Sequence, residues 1–208
     1  MEPDQRAGAP GELELNAEQR NRLHGATCRL LAAAARQQSV PVDRLPLGEL
    51  AALLVVGVFV TLHKAGALRS CIGNFTRSIR LDEALERAAT GAACHDPRFP
   101  PVEIDELPDL TVEISLLHSR QTLGDSAAAR LSSIEIGRHG LDIQHHGRSG
   151  LLLPCVAVDH GWDATTFLRE VCRKAGLPPD TWKDPQATLY RFAATRWGGR
   201  FAADAAEF

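Results

Sequence analysis

The feature that most constrains the fold is a pair of adjoining strands joined by a tight turn. Val55 to His63 is rich in β-branched and aromatic residues, the turn reads KAGA, and Leu68 to Ile72 forms the return segment. Two such runs around a glycine that favours positive φ predict an antiparallel β-hairpin. Regular pairing from the turn sets His63 opposite Leu68, which fixes the predicted register of the hairpin.

Helical patterns flank this hairpin in the sequence. Asn16 and Gln19 have the spacing of a capping box, which predicts a helix from there to about Gln38. Ser78 is the predicted cap of a second helix, and Asp163 opens a third that Gly176 ends. The predicted inward faces are Leu23, Thr27, Leu30, Leu31 and Ala34 in the first helix, Leu81, Leu85, Ala88 and Ala92 in the second, and Phe167, Leu168, Val171 and Ala175 in the third.

Further strands lie between and after these helices. Thr111 to Leu117 alternates with Val112, Ile114 and Leu116 on one side, and Leu189 to Ala193 is the last predicted strand. The segment IEIGRHGLDIQHHGRSGLLLP has the pattern of short strands separated by glycine turns. Helices and antiparallel strands are therefore interspersed without βαβ alternation, which predicts an α+β fold.

Composition and charge bound the domain organisation and the class of partner. Residues 1–12 are predicted to be a disordered leader, 13–195 the folded domain and 196–208 a frayed tail. The 208-residue chain has a net charge of −3, no basic run and 5% aromatic residues, so we expect no nucleic-acid partner. No signal-peptide pattern and no apolar run of membrane-spanning length occurs, so we expect a cytosolic protein without membrane contact.

The cysteines and the missing motifs exclude several kinds of site. The chain has five cysteines and no CxxC pair, which argues against a disulfide framework and a zinc ribbon. The patterns GxGxxG, GxxxxGK[ST], HExxH and GxSxG are also missing from the sequence. The sequence therefore indicates no metal and no cofactor.

The first candidate site is the return strand of the hairpin, ALRSCIGNF. Arg69, Cys71 and Gly73 alternate along a strand and would share one face, with Cys71 opposite Val60 and Arg69 opposite Leu62. A guanidinium beside a thiol favours the thiolate, and Gly73 leaves room for a ligand. Cys71 is thus a candidate nucleophile with Arg69 as its charge partner. The alternatives are a metal ligand and a small core residue.

The second candidate site is the proline-stiffened loop HDPRFPP. His95, Asp96 and Arg98 follow the end of a helix there, and such loops hold polar groups in fixed positions. The alternative is that Asp96 and Arg98 only make a local turn. We predict that this loop faces the Cys71 hairpin across one cleft.

Three stretches of the chain closely resemble the AMMECR domain family, whose bacterial and archaeal members are called AmmeMemoRadiSam system protein A. They are GVFVTLHKAGALRSCIGNF, DPRFPPVEIDELPDLTVEISLL and GLLLPCVAVDHGWDATTFLREVCRKAGLPPDTW. The family motif Leu-Arg-Gly-Cys-Ile-Gly matches this chain from Leu68 to Gly73 except at Ser70, where the family has glycine. Cys155 stands where the resemblance leads us to expect glutamine.

The resemblance implies an α+β fold with two lobes that carry antiparallel sheets flanked by helices. The larger lobe would come from both chain ends and the smaller from the middle, with a site between them. It also implies two partners, a Memo-like protein and a radical S-adenosylmethionine enzyme. No established reaction accompanies the family.

Two hypotheses for function follow. In the first, the chain is an enzyme or enzyme component with Cys71 as nucleophile, Arg69 as its charge partner, His95 as acid–base partner and Arg98 as substrate clamp. In the second, the same surface binds a small molecule or a partner without turnover. Gly73, His95, Asp96 and Arg98 would form the binding surface in both cases. A histidine or carboxylate within hydrogen-bond reach of the Cys71 sulfur would favour the enzyme.

Overall fold

The computed structural model describes residues 13–203, so the predicted leader and the last residues of the predicted tail lie outside the described residues. Two compact units are present, one of residues 13–117 with 195–203 and one of residues 118–194. Each unit contains helices and antiparallel strands, which confirms the α+β class predicted from the sequence. None of the helices in the described part combines the length and the apolar character needed to cross a membrane.

The first unit packs long helices on a sheet. The helices are α1 (Ala17–Ala35) and α2 (Leu81–Cys94), and the strands are β1 (Leu54–Lys64), β2 (Ala67–Arg80), the start of β3 (Leu110–Thr122) and the end of β6 (Thr188–Arg200). A 3₁₀ helix spans Ile104–Asp109. The strands follow the order β2-β1-β3-β6, so β2 is an edge strand.

The core of this unit follows the predicted apolar faces. Asn16 caps α1 in a capping box with Gln19, as its sequence spacing predicts, although the helix ends at Ala35 rather than near Gln38. The inward residues predicted for α1, α2 and β3 are all buried: Leu23, Thr27, Leu30, Leu31, Ala34, Leu81, Leu85, Ala88, Ala92, Val112, Ile114 and Leu116.

The hairpin forms as predicted, but its register changes one residue after the turn. Ala65 and Gly66 take positive φ values of 50° and 81°, and His63 pairs with Leu68. The next pair is Leu62 with Ser70, so Arg69 is an extra residue in β2, a β-bulge.

This bulge corrects the predicted pairing of the cysteine. Cys71 lies opposite Thr61, not Val60, and Arg69 has no partner opposite Leu62. A slip of one residue exchanges the faces of a strand. Ser70 accordingly points into the core with Leu62 and is fully buried.

The strand β2 is also longer than predicted. It continues to Arg80, which pairs with Leu54, and α2 begins only at Leu81. Ser78 therefore lies in the strand, and its prediction as a helix cap is wrong. A free backbone N–H in the first turn of α2 is instead bonded by Asp82, whose Oδ1 accepts the Glu83 N–H at 2.8 Å.

The second unit holds the remaining elements. They are the end of β3, α3 (Ala127–Ser132), β4 (His139–His145), β5 (Arg148–Leu152), α4 (Pro154–Asp159), α5 (Ala164–Lys174) and the start of β6. Asp163 caps α5 as predicted, and Phe167, Leu168, Val171 and Ala175 are buried. The sequence did not indicate α3 and α4, because helices this short show no periodic face. The strand β6 runs on to Arg200, which corrects the prediction of a frayed tail from residue 196.

Candidate functional site

Cys71 lies on the edge strand with its side chain on the face shared by Thr61. The Thr61 hydroxyl Oγ1 donates to the Cys71 Sγ across 3.2 Å. The cysteine is half-buried, whereas Ser70 on the opposite face of the strand is fully buried. The thiol is therefore held by a polar partner outside the packed core of the unit.

The backbone of Cys71 is bound by the loop that follows α2. The Cys71 N–H donates to Oδ2 of Asp96 at 2.9 Å, and Nη2 of Arg98 donates to the Cys71 carbonyl oxygen at 3.1 Å. The N–H and the C=O of Cys71 both point away from β1. In an antiparallel pair, these groups point away from the partner strand at every second residue, and on an edge strand no further strand binds them. The side chains of Asp96 and Arg98 thus make the bonds that a neighbouring strand would make.

The Asp96 carboxylate is the centre of this arrangement and is buried. It accepts the Ser70 hydroxyl at 3.1 Å, the Arg98 backbone N–H at 3.1 Å and the Arg98 side chain at 2.9 and 2.8 Å. The Arg98 guanidinium, followed by the Cys71 and Arg98 N–H groups and the Ser70 hydroxyl, holds the pKa of this carboxyl well below its usual range despite burial. The same ion pair raises the pKa of Arg98.

Arg69 is engaged by a different carboxylate. Its Nη2 and Nε donate to Glu106 at 2.6 and 3.1 Å, and Nη2 also donates to the Pro101 carbonyl at 3.1 Å. Lys64 donates to the same carboxylate at 3.1 Å. Burial raises the pKa of Glu106, but the bonds from Arg69, the Glu103 N–H and Lys64 outweigh burial and bring it to about 2. The bulge residue therefore anchors the segment after α2.

The predicted pairing of Arg69 with the thiol is not what the structure shows. Within the described chain, no contact joins the Arg69 guanidinium to the Cys71 sulfur, and the cation that interacts electrostatically with Cys71 is Arg98. A concavity of about 370 Å³ adjoins Arg69. It is lined by Lys64, Arg69, Pro100, Pro101, Glu103, Asp105, Glu106 and Asp109, and not by Cys71.

Gly73 lies on the Cys71 face, and its open side is filled by an aromatic ring. Gly73 pairs with Phe59, and a Cβ added to the glycine would lie 2.3 Å from atoms of the Phe59 ring. Aromatic side chains cover glycine in this way in cross-strand pairs. The space left by Gly73 is thus occupied by a side chain of the neighbouring strand.

The structure brings Cys71, Asp96 and Arg98 together and leaves His95 apart. His95 follows the last residue of α2 and is exposed, and its backbone N–H donates to the Gly91 carbonyl at 2.8 Å. The loop lies directly against β2 and is joined to it by hydrogen bonds. The prediction of proximity is confirmed, whereas the cleft between loop and hairpin is corrected to direct contact.

Sequence reasoning missed Thr61, Phe59 and Glu106 as members of this site. Thr61 and Phe59 lie opposite Cys71 and Gly73 only in the bulged register, which the sequence does not reveal. Glu106 lies far from Arg69 along the chain, and the spacing of the two residues carries no signal. Ser70, which departs from the family motif, uses its hydroxyl on Asp96. Among the described residues, no three His, Cys, Asp or Glu side chains form a group that could hold a metal ion.

Comparison with known proteins finds relatives that align with about two thirds of this chain. Protein TK0174 of Thermococcus kodakarensis is 48% identical over 144 residues, which is 67% of this chain and 70% of that protein. A protein of Methanothermobacter thermautotrophicus is 50% identical over 139 residues, which is 66% of this chain and 72% of that protein.

A solved structure has the same fold. The crystal structure of uncharacterized protein PH0010 from Pyrococcus horikoshii is similar to this chain with a TM-score of 0.78 and 37% identity, covering 89% of this chain and 94% of that one. A family model described as AMMECR1 matches residues 20–197, which include the bulged strand β2, the loop bonded to it, all of α2 and all but the first residues of α1. This chain belongs to the AMMECR1 family.

Proposed function

We propose that this protein is the binding component of a three-protein system with a Memo-like protein and a radical S-adenosylmethionine enzyme. The surface around Cys71 is the place where it holds a ligand or a partner. The observation that carries this proposal is that the backbone and the side chain of Cys71 have different partners. The buried Asp96 carboxylate and the Arg98 guanidinium fix its backbone, while its side chain stays half-buried beside the Thr61 hydroxyl.

The binding role is favoured over a complete enzyme by the surroundings of the sulfur. A thiol nucleophile is usually activated by an adjacent base that a third group orients. In the described chain, the hydrogen bond at the Cys71 sulfur comes from Thr61, and the exposed His95 makes none there. The carboxylate of Asp96 is bound to the Cys71 backbone and to Arg98 and is not directed at the sulfur.

The thiolate hypothesis is retained as the second candidate because the Cys71 sulfur has a polar and a charged neighbour. The Thr61 hydroxyl donates to it, and the Arg98 guanidinium interacts with it electrostatically. In that case the Cys71 thiolate attacks an electrophilic carbon of the ligand, the S–C bond forms as the ligand's leaving group departs with the electron pair of the broken bond, and a partner releases the ligand from the sulfur. His95 would then be recruited as acid–base group only in the assembled system, with Arg69 acting through Glu106 as a positioning residue.

The experiment that separates these candidates is purification of the tagged protein from its native cell, followed by mass spectrometry of the intact chain and of co-purifying proteins. Cys71→Ser is compared with Cys94→Ser, a half-buried thiol whose sulfur donates to the Ala34 carbonyl. An adduct lost only in Cys71→Ser supports the covalent carrier. Capture of both partners by the wild type and by Cys71→Ser supports the binding component. If neither an adduct nor a partner is found, the proposal is contradicted.

We also propose that the protein works in the cytosol. The support is that the five cysteines, all within the described residues, are free thiols, as is usual for proteins of a reducing compartment. Cell fractionation with detection of the native protein tests this. Recovery in the membrane or secreted fraction would contradict it.

A further inference from the structure

The Arg98 guanidinium has one edge that is fully used and one that is not. Its Nε donates to Asp96 at 2.9 Å, and its Nη2 donates to Asp96 at 2.8 Å and to the Cys71 carbonyl at 3.1 Å. Its Nη1 donates to no acceptor in the described part of the chain. The side chain is 51% exposed, whereas its partner Asp96 is only 3% exposed. Donor hydrogens of a charged group therefore remain at the surface.

These free donors are held in a fixed direction. Asp96 is buried and is itself held by the Ser70 hydroxyl and the Cys71 N–H, and the Phe99 ring lies 5.5 Å from the guanidinium carbon. To turn away, Arg98 would have to give up its bonds to Asp96 and to Cys71. A guanidinium fixed in this way loses little conformational entropy when an anion binds to its open edge.

The charge of Asp96 does not cancel this donor edge. Its carboxylate oxygens lie on the other side of the guanidinium and already accept hydrogen bonds from Ser70, Cys71 and Arg98. Three of the five guanidinium hydrogens are taken by Asp96 and Cys71, so the two hydrogens of Nη1 remain for an anion. The open edge lies next to Cys71, whose carbonyl is bound to Nη2.

We propose that the ligand of the Cys71 surface is an oxyanion, a small molecule with a carboxylate or phosphate group, and that this group binds to the Nη1 edge of Arg98. The remainder of the ligand then lies beside the Cys71 thiol and the Thr61 hydroxyl. This inference rests on the proposed function in using the Cys71 surface as a binding site, and it adds the charge class of the ligand.

The test compares an anionic and a neutral alkylating agent on the folded protein. Cys71 is labelled with iodoacetate and, separately, with iodoacetamide, and peptide mapping gives both rates. The ratio of the iodoacetate rate to the iodoacetamide rate is independent of the thiolate fraction, because both reagents attack the same thiolate. We expect this ratio to exceed that of the urea-unfolded chain by about three-fold, the size of an exposed ion-pair interaction.

Variants assign the effect to Arg98. In Arg98→Gln the ratio should fall to that of the unfolded chain, and in Arg98→Lys, which keeps the charge without the fork, it should fall only partly. Arg77→Gln removes an exposed arginine of the same strand and should leave the ratio unchanged. Thermal melts and the iodoacetamide rate itself show whether each variant keeps its fold.

A second arm identifies the anion without any variant. Inorganic phosphate or acetate, added at constant ionic strength, should slow iodoacetate labelling of Cys71 in the wild type, and the stronger protector names the preferred group. An equal ratio in wild type and Arg98→Gln, or labelling that neither anion slows, would overturn the inference. Because this readout needs no partner, it can succeed or fail independently of the capture experiment that tests the proposed function.

Discussion

Asp96 accepts the backbone N–H of Cys71 at 2.9 Å, and this bond joins the loop after α2 to the free edge of β2. A residue outside the Leu68 to Gly73 motif thus fixes the backbone of the motif's cysteine in space. Edge strands expose backbone donors and acceptors that invite pairing with other chains. The loop meets this demand at Cys71 with one buried carboxylate and one guanidinium.

The Asp96 carboxylate should be the most sensitive position of the site for stability. Asp96→Asn removes a buried charge and leaves Arg98 without its partner, so we expect a loss of about 3 kcal/mol in the free energy of unfolding. Ser70→Ala removes only the hydroxyl bond to Asp96 and should cost about 1 kcal/mol. Urea unfolding of both variants checks this order. A smaller loss of unfolding free energy in Asp96→Asn than in Ser70→Ala would show that the bonds of Asp96 to Arg98 and Cys71 do not stabilise the fold.

Glu106 should make the stability depend on pH in the acidic range. Its pKa is about 2 in the folded protein against an ordinary value of 4.5. A carboxyl whose folded pKa is lowered stabilises the fold fully above its unfolded pKa, and this stability is lost as the pH falls through the folded value. We expect the difference in urea midpoint between wild type and Glu106→Gln to be constant above pH 5 and to shrink between pH 4.5 and 2.

The matched control for Glu106 is Asp105→Asn, an exposed neighbour in the same 3₁₀ helix. Its difference from wild type should be small and should not follow the same course with pH. If the Glu106→Gln difference stays flat down to pH 2, then the ion pair with Arg69 and Lys64 is not the cause of acid sensitivity.

Gly73 should tolerate no larger side chain while Phe59 covers it. A Cβ there would lie 2.3 Å from the Phe59 ring, so Gly73→Val should lower stability by about 3 kcal/mol. Ser70→Gly should cost less, about 1 to 2 kcal/mol, from the lost hydroxyl bond and the added chain flexibility. Thermal melts rank the two variants. In a Phe59→Leu background the penalty of Gly73→Val should shrink, and an unchanged penalty would assign it to another contact.

Cys71 should be alkylated faster than Cys28, Cys94 and Cys172. Burial raises the pKa of Cys94, and burial raises that of Cys172 to about 11, while Cys28 is fully buried. Timed iodoacetamide labelling between pH 6 and 9 with peptide mapping measures the order.

The same labelling experiment tests the Thr61 hydroxyl. Thr61→Val should slow labelling of Cys71 about five-fold, the factor that corresponds to one hydrogen bond of about 1 kcal/mol, and Thr61→Ser should keep the wild-type rate. Labelling of Cys71 slower than Cys94, or an equal rate in Thr61→Val, would return Cys71 to the role of a packing residue.

Local pattern was enough to predict the elements on which the site is built. The hairpin around Gly66, the capping box at Asn16 and the inward faces of α1, α2 and α5 all follow from short-range spacing, because each depends on residues within one or two turns of the chain. Family membership also followed from the motifs.

Only the tertiary structure decided which side chains meet at Cys71. The bulge at Arg69 moved the register by one residue, so the thiol contacts Thr61, and the guanidinium predicted to face it contacts Glu106 instead. No local signal marks such a bulge, because its stabilising contacts come from residues far along the chain. The sequence predicted that the loop lies near the hairpin, but it did not predict that Asp96 and Arg98 bind the Cys71 backbone directly, because those bonds depend on which backbone groups of β2 face away from β1.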